Sequence, residues 1–305
     1  MTATRPRAVG PRLAALVVAA LVSAACPAPV VTPSPSPTAS PGPTRPRLEL
    51  STYQYALQVK NKIRVAVMDT TPPYSARGSS GRYEGFEPDL AREIARAIWG
   101  ANDDPDSHIE WISVDASTRV SALTGNQVDV TIAAIVASDE TRKVIDLTDG
   151  YYRDGQRLLV KRTNEQIKEL VDVASGDQTV AAVKASPWEQ NLRRVTNDRA
   201  KVLPLDTLAF CLDALNRGAA DAFTQDEATL VGLVAKDPSV KIVAKQFTDD
   251  QLAIGIKKNV SADRQGFREF VNTVLLRIVA DRTWAKLYER YVTPITGEKK
   301  QLPTD

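Results

Sequence analysis

Residues 63–67 set apolar side chains around Arg64 and run toward Asp69, the pattern of a buried strand that ends in a polar group. Thr70, Thr71, Pro72, Pro73 and Tyr74 then break the pattern into a loop. Leu90, Ala91, Ile94, Ala97 and Ile98 share one helical face, and Glu87 and Asp89 near its start suit the helix dipole. Residues 108–114 alternate as a strand, and residues 117–123 read as a helix. The most ordered pattern spans 128–161. An apolar run rich in β-branched residues and Ala gives way to a polar segment at 138–143, an aromatic pair at Tyr151 and Tyr152, and a second apolar run. That order predicts a strand, a short helix and a strand crossing to another part of the fold.

Further along, strands are expected over 179–183, 201–203, 222–224 and 252–256, and helices over 188–196, 208–216, 228–235, 264–280 and 283–291. Alternating strands and helices indicate an α/β fold. Two strand passages between halves of similar size imply a hinge.

An internal echo supports two related halves. Ala122 and Leu123 lead through a Gly-containing turn to Asp129, which opens a strand, and Ala214 and Leu215 lead in the same way to Asp221. The step from Ala to Asp is seven residues in both. Helix-turn-strand units are common in α/β proteins, so chance competes with common build. Five residues beyond each Asp stand Ala134 and Asp226, the candidate strand ends facing each other across a cleft. An open α/β sheet places its ligand at such C-terminal strand ends. Asp226 precedes a helical run, so it can serve either as a helix cap or as a ligand contact. Asp69 is open to the same two readings, turn cap or cleft group.

Composition narrows the classes. The 305 residues are 43% hydrophobic and 25% charged with net charge +2, which suggests neither nucleic acid nor an acidic surface as partner. Arg5, Arg7 and Arg12 precede an uncharged run over 13–25 and then Cys26, the layout of an export signal. The run is too short to span a bilayer, which needs ~20 apolar residues. Eight prolines over residues 27–47 predict an extended tether. Cys211, the sole cysteine after Cys26, reads as a small buried hydrophobe. His108, the only histidine, has no second His or Cys near it in sequence and reads as a solvated loop residue. No metal site, cofactor motif or Ser-His-Asp set is found, so an enzyme is not expected.

Several segments together resemble the family 3 extracellular solute-binding proteins that deliver polar amino acids to ABC importers. They are residues 85–90 (GFEPDL), Val128 with Asp129, residues 144–152 (VIDLTDGYY), residues 220–223 (ADAF) and residues 284–291 (WAKLYERY). The resemblance covers about residues 63–292 and is greatest to glutamine- and glutamate-binding lipoproteins of high-GC Gram-positive bacteria. It implies a two-lobed periplasmic-binding-protein-like fold of type II, with a ligand cleft between lobes joined by two crossover strands. It further implies a lipoprotein signal at 1–25 with lipidation of Cys26, where Ser23, Ala24 and Ala25 precede the cysteine as in a lipobox, although the family usually has Leu in place of Ser23. A tether at 26–47, lobe 1 at 48–153 and 251–297, lobe 2 at 154–250 and a tail at 298–305 complete the expected organisation. Implied partners are a small polar solute, an importer permease and the membrane through the lipid anchor, with the chain a monomer outside the cytoplasm.

In the family, an Arg on the short helix after the first cleft strand pairs with the ligand α-carboxylate, and an Asp at the second cleft strand takes the α-ammonium. Asp226 matches the Asp. The Arg position falls on Thr141, with Arg142 one place later, and one helical step turns a side chain by ~100°. Family positions that often carry a covering aromatic and a Thr fall on Ala116 and Val136. Asp69, Tyr74, Ala133, Ala134, Arg142, Lys184, Ser186, Gln225 and Asp226 are the expected ligand-binding residues. A surface sensor or interaction protein on the same fold with altered or lost amino-acid binding is the alternative, and an enzyme such as a dehydratase a further one.

Overall fold

The computed structural model describes residues 45–258 and 262–300, with side chains omitted for 262–265. Cys26, the expected signal segment and the tether up to residue 44 lie outside the described residues, as does the tail beyond residue 300. The strands are β1 (Ile63–Val67), β2 (Thr70–Thr71), β3 (Ser75–Arg77), β4 (Tyr83–Glu84), β5 (Ile109–Ser113), β6 (Val130–Val136), β7 (Asp146–Asp154), β8 (Gln156–Lys161), β9 (Thr179–Val183), β10 (Lys201–Leu205), β11 (Ala222–Asp226), β12 (Val240–Val243) and β13 (Asp250–Ile256). The helices are α1 (Tyr53–Lys60), α2 (Phe86–Trp99), α3 (Ser121–Thr124), α4 (Asp139–Val144), α5 (Leu170–Val173), α6 (Pro187–Val195), α7 (Leu208–Arg217), α8 (Glu227–Lys236), α9 (Ala262–Ala280), α10 (Thr283–Tyr291) and α11 (Thr293–Thr296).

Two five-stranded sheets form two lobes, ordered β5-β1-β6-β13-β7 and β10-β9-β11-β8-β12. In each, the first three strands run parallel and the fourth runs against them. The sheets are thus repeats of one plan. A small ribbon, β2-β3-β4, attaches to the first.

The apolar stripe of α2 explains its place. Phe86, Leu90, Ile94, Ile98 and Trp99 are all buried and join one cluster with Trp284 and Tyr288 of α10. Each such side chain contributes about 1.5–3 kcal/mol of burial. His108 departs from the reading of it as a solvated loop residue. It is buried, with its ring stacked 4.5 Å from Trp99, because the 3-10 turn Pro105–His108 folds onto α2. The helix expected over 117–123 is shorter, covering Ser121–Thr124. Before it, the Asp115 carboxylate accepts from Ser117 and Thr118, through both backbone N–H and hydroxyl groups, and these bonds hold a turn in place of a first helical turn.

At the passage between sheets β7 ends at Asp154 and β8 begins at Gln156. Gly155 lies between them, where a Cβ would collide with the Thr248 carbonyl of the second passage. Pairing fixes what meets there: Asp226 lies opposite Gln156, Asp154 opposite Asp250, and Leu252 opposite both Val136 and Tyr152. The C-terminal ends of β6 and β11 therefore approach the same passage from opposite lobes.

The hinge carries a buried ionic chain. The Glu227 carboxylate accepts from Arg157 at 2.9 Å, Tyr152 at 2.9 Å, Gln246 at 3.0 Å and Lys300. Burial works to raise its pKa, but the Lys300 and Arg157 charges hold it below the usual range. Glu298 also reaches Arg157, at 2.9 Å. Residues 298–300 thus bind back onto the hinge.

Candidate functional site

The echoed aspartates do the same work in both lobes. Asp129 accepts from the backbone N–H of Arg64 at 2.8 Å, and Asp221 from that of Thr179 at 2.8 Å. Each thereby fastens the entrance of one parallel strand to its neighbour. Asp129 goes further, taking the Tyr53 hydroxyl at 2.7 Å and the Arg64 guanidinium at 2.8 Å.

The exits differ. Strand β6 is kinked at Ala134, whose φ of 50° lies in the left-handed region. Three contacts hold the kink. The Ala134 N–H donates to Glu87 at 2.8 Å, and Arg119 Nη1 donates to the carbonyls of Ala133 and Ala134 at 2.8 and 2.6 Å. Tyr151 donates its hydroxyl to the same Glu87 oxygen at 2.6 Å. Glu87 is fully buried, and its other oxygen has no partner among the described residues. Burial pushes its pKa up to about 7, against the bonds from Tyr151 and Ala134.

The C-terminal ends of β1 and β5 line an open pocket of about 400 Å³ with Asp69, Thr70, Ser113, Asp115, Ala116 and Thr118 among others. Ser113 donates to Asp69 at 2.8 Å. Tyr74 is directed elsewhere: it is buried, and its hydroxyl donates to Tyr152 at 2.7 Å in the hinge chain.

Strand β11 exits straight into α8. Asp226 caps that helix, accepting the Thr229 N–H at 2.8 Å and its hydroxyl at 2.9 Å. Burial raises its pKa, opposed by the Thr229 bonds and by the charge of Arg119 from the other lobe. Asp154 lies close by, 1% exposed, with Oδ1 accepting from Gly155 at 2.8 Å and Ala228 at 3.2 Å. Burial first and the Asp226 charge second hold its pKa well above the usual carboxylate range. Gln225 is buried in β11 and accepts the Asp226 N–H at 3.2 Å.

Ser186 caps α6 by accepting from Glu189 at 3.2 Å, and Lys184 is exposed at the end of β9. Arg142 is exposed on α4, and Thr141 bonds Ser138 through its hydroxyl at 3.0 Å. The structure therefore brings Ala133, Ala134, Gln225 and Asp226 to the two facing strand ends. Asp69 lines the pocket at the ends of β1 and β5.

Arg119, Glu87 and Asp154 were missed from sequence. In the sequence Arg119 falls within the expected helix 117–123, and Glu87 suits the start of a helix dipole. Asp154 carries one usable signal, an acid beside glycine between the aromatic pair and the apolar run that starts at Leu158.

Comparison with known proteins bears on the family and the fold. The profile of "Bacterial extracellular solute-binding proteins, family 3" matches residues 63–294. The ABC transporter glutamine-binding protein GlnH of Bacillus subtilis is 30% identical over 238 residues, covering 78% of this chain and 83% of that protein. The glutamate-binding protein GluB of Corynebacterium glutamicum is 25% identical over 244 residues, covering 77% and 79%. Among solved structures, an ancestral cationic amino acid solute-binding protein superposes with a TM-score of 0.63 at 25% identity, covering 79% of this chain and 99% of that one. With a family profile spanning both lobes and relatives of the same two-lobed build, this chain belongs to the bacterial extracellular solute-binding proteins, family 3.

Proposed function

We propose that this protein captures an amino acid such as glutamine, glutamate or a related polar solute between its lobes and delivers it to an ABC importer permease. One observation carries the reading: a cation from the first lobe, Arg119, and a carboxylate from the second, Asp226, flank the passage where the strand ends meet. An amino acid carries the complementary pair of charges. A ligand that touches both lobes favours the closed state by its differential contacts there. The names of the relatives support the solute class. Lipid attachment at Cys26 would hold the protein at the outer face of the membrane, with the proline-rich segment 26–47 as tether. Lobe 1 is assigned to 48–153 and 251–297 and lobe 2 to 154–250.

A thermal-shift series over the twenty L-amino acids tests the reading. A ligand at 100 times its Kd adds ~2.7 kcal/mol of stability. At least one amino acid is expected to shift the wild type, and the shift is expected to vanish in Asp226→Ala. No shift with any of the twenty, or an unchanged shift in that variant, contradicts it. Thr141 in place of a family Arg favours a second reading, a surface sensor on the same fold. Recovery of a kinase rather than an importer permease with the membrane-bound protein would select that reading.

A further inference from the structure

If the cleft holds a carboxylate, some cation must meet it. The short helix α4 offers poor means. Thr141 has a hydroxyl already bonded to Ser138, and Arg142 is exposed on the helix. Lys258 binds the backbone carbonyls of Arg142 and Lys143, each at 3.0 Å, which ties that helix end to the chain after β13.

Arg119 is differently placed. Its Nη1 donates to the carbonyls of Ala133 and Ala134, which uses both hydrogens on that nitrogen. Among the described residues its Nε–H and Nη2 hydrogens donate to nothing. The guanidinium is thus anchored at one corner, with the Nε–Nη2 edge left over. That edge is a two-pronged donor of the shape a carboxylate accepts. The backbone beneath it is fixed as well, since Ala134 is held by Glu87 from its other side. Arg119 follows directly on Thr118, which lines the pocket at the ends of β1 and β5. Its half-buried position limits competition from water. The same charge reaches Asp226, whose oxygens each accept one bond from Thr229 and keep a further lone pair.

We propose that Arg119 is the carboxylate-recognising residue of this cleft, in place of the helix position occupied here by Thr141. The assignment rests on the amino-acid-binding reading. It specifies an anchored side-on fork on the first lobe and leaves the ligand amine to Asp226 on the second.

The test is calorimetric titration with the L-amino acid that gives the largest thermal shift and with the amine its decarboxylation gives, 4-aminobutanamide for glutamine or agmatine for arginine. The proteins are wild type, Arg119→Gln, Arg119→Lys and Arg142→Gln. Arg119→Gln is expected to weaken the amino acid that binds by about a hundredfold and to leave the matching amine within about threefold. Arg119→Lys, which keeps the charge but not the fork, should recover about tenfold. Arg142→Gln should bind like wild type. An equal loss for acid and amine in Arg119→Gln would show a merely structural residue and overturn the assignment. So would a loss of acid selectivity in Arg142→Gln alone. A wild type that binds none of the twenty L-amino acids overturns the binding reading itself, a result distinct from both.

Discussion

The exits of β6 and β11 begin from the same staple and end in opposite chemistry. In both lobes an aspartate seven residues after a helical Ala fastens two parallel strands by accepting one backbone N–H. Five residues on, the first lobe turns through a left-handed Ala134 braced by Glu87 and Arg119, whereas the second runs straight into a helix capped by Asp226. A repeated scaffold can thus keep its entrances alike while its exits diverge. The difference gives one lobe donors and the other acceptors, which is what binding a zwitterion across a hinge requires.

The entrances offer the largest test. Asp129 is 3% exposed and holds Arg64 and Tyr53 as well as the strand N–H. Asp129→Ala is expected to cost about 3–5 kcal/mol, read from the urea midpoint, because it strands the Arg64 charge and two further donors.

Glu87 separates the exits by pH. Its pKa is about 7 in the fold against 4.5 ordinarily, so between those values the folded state holds a proton that the unfolded chain releases. Its contribution is complete below pH 4.5 and declines as pH rises through about 7, a loss of ~3 kcal/mol. Glu87→Gln should flatten the stability profile over that window. A profile as steep as that of wild type would show that Glu87 titrates normally.

Asp221, partly exposed and holding the Thr179 N–H, should cost only ~1–2 kcal/mol on change to Ala. Equal losses at positions 129 and 221 would erase the contrast between the entrances. Smallest is Ala134→Gly, expected to raise stability by ~1 kcal/mol in thermal melts, since glycine takes positive φ without the Cβ penalty.

Much of this fold was legible in the sequence, because it rests on local periodicity. Strands β1 and β9 and helix α10 have the bounds their apolar patterns give, and the echo of Ala122 and Ala214 marks corresponding turns before corresponding strands. The short ribbon β2-β3-β4 and strand β12 left too few residues to show a period. The site was less legible. Asp226 could be reached by counting from the echo, but Arg119 gains its meaning from carbonyls fourteen and fifteen residues away, exposed by a kink that no pattern announces. Glu87 and Asp154 look like ordinary charges until tertiary packing buries them.

The most direct measurement is a crystal structure grown with the amino acid that gives the largest thermal shift. The account predicts one ligand between the sheets, its carboxylate within hydrogen-bond distance of Arg119 Nε and Nη2 and its ammonium at Asp226. A ligand whose carboxylate is held instead by α4 at Thr141 and Arg142, or one bound away from the two strand ends, would contradict it.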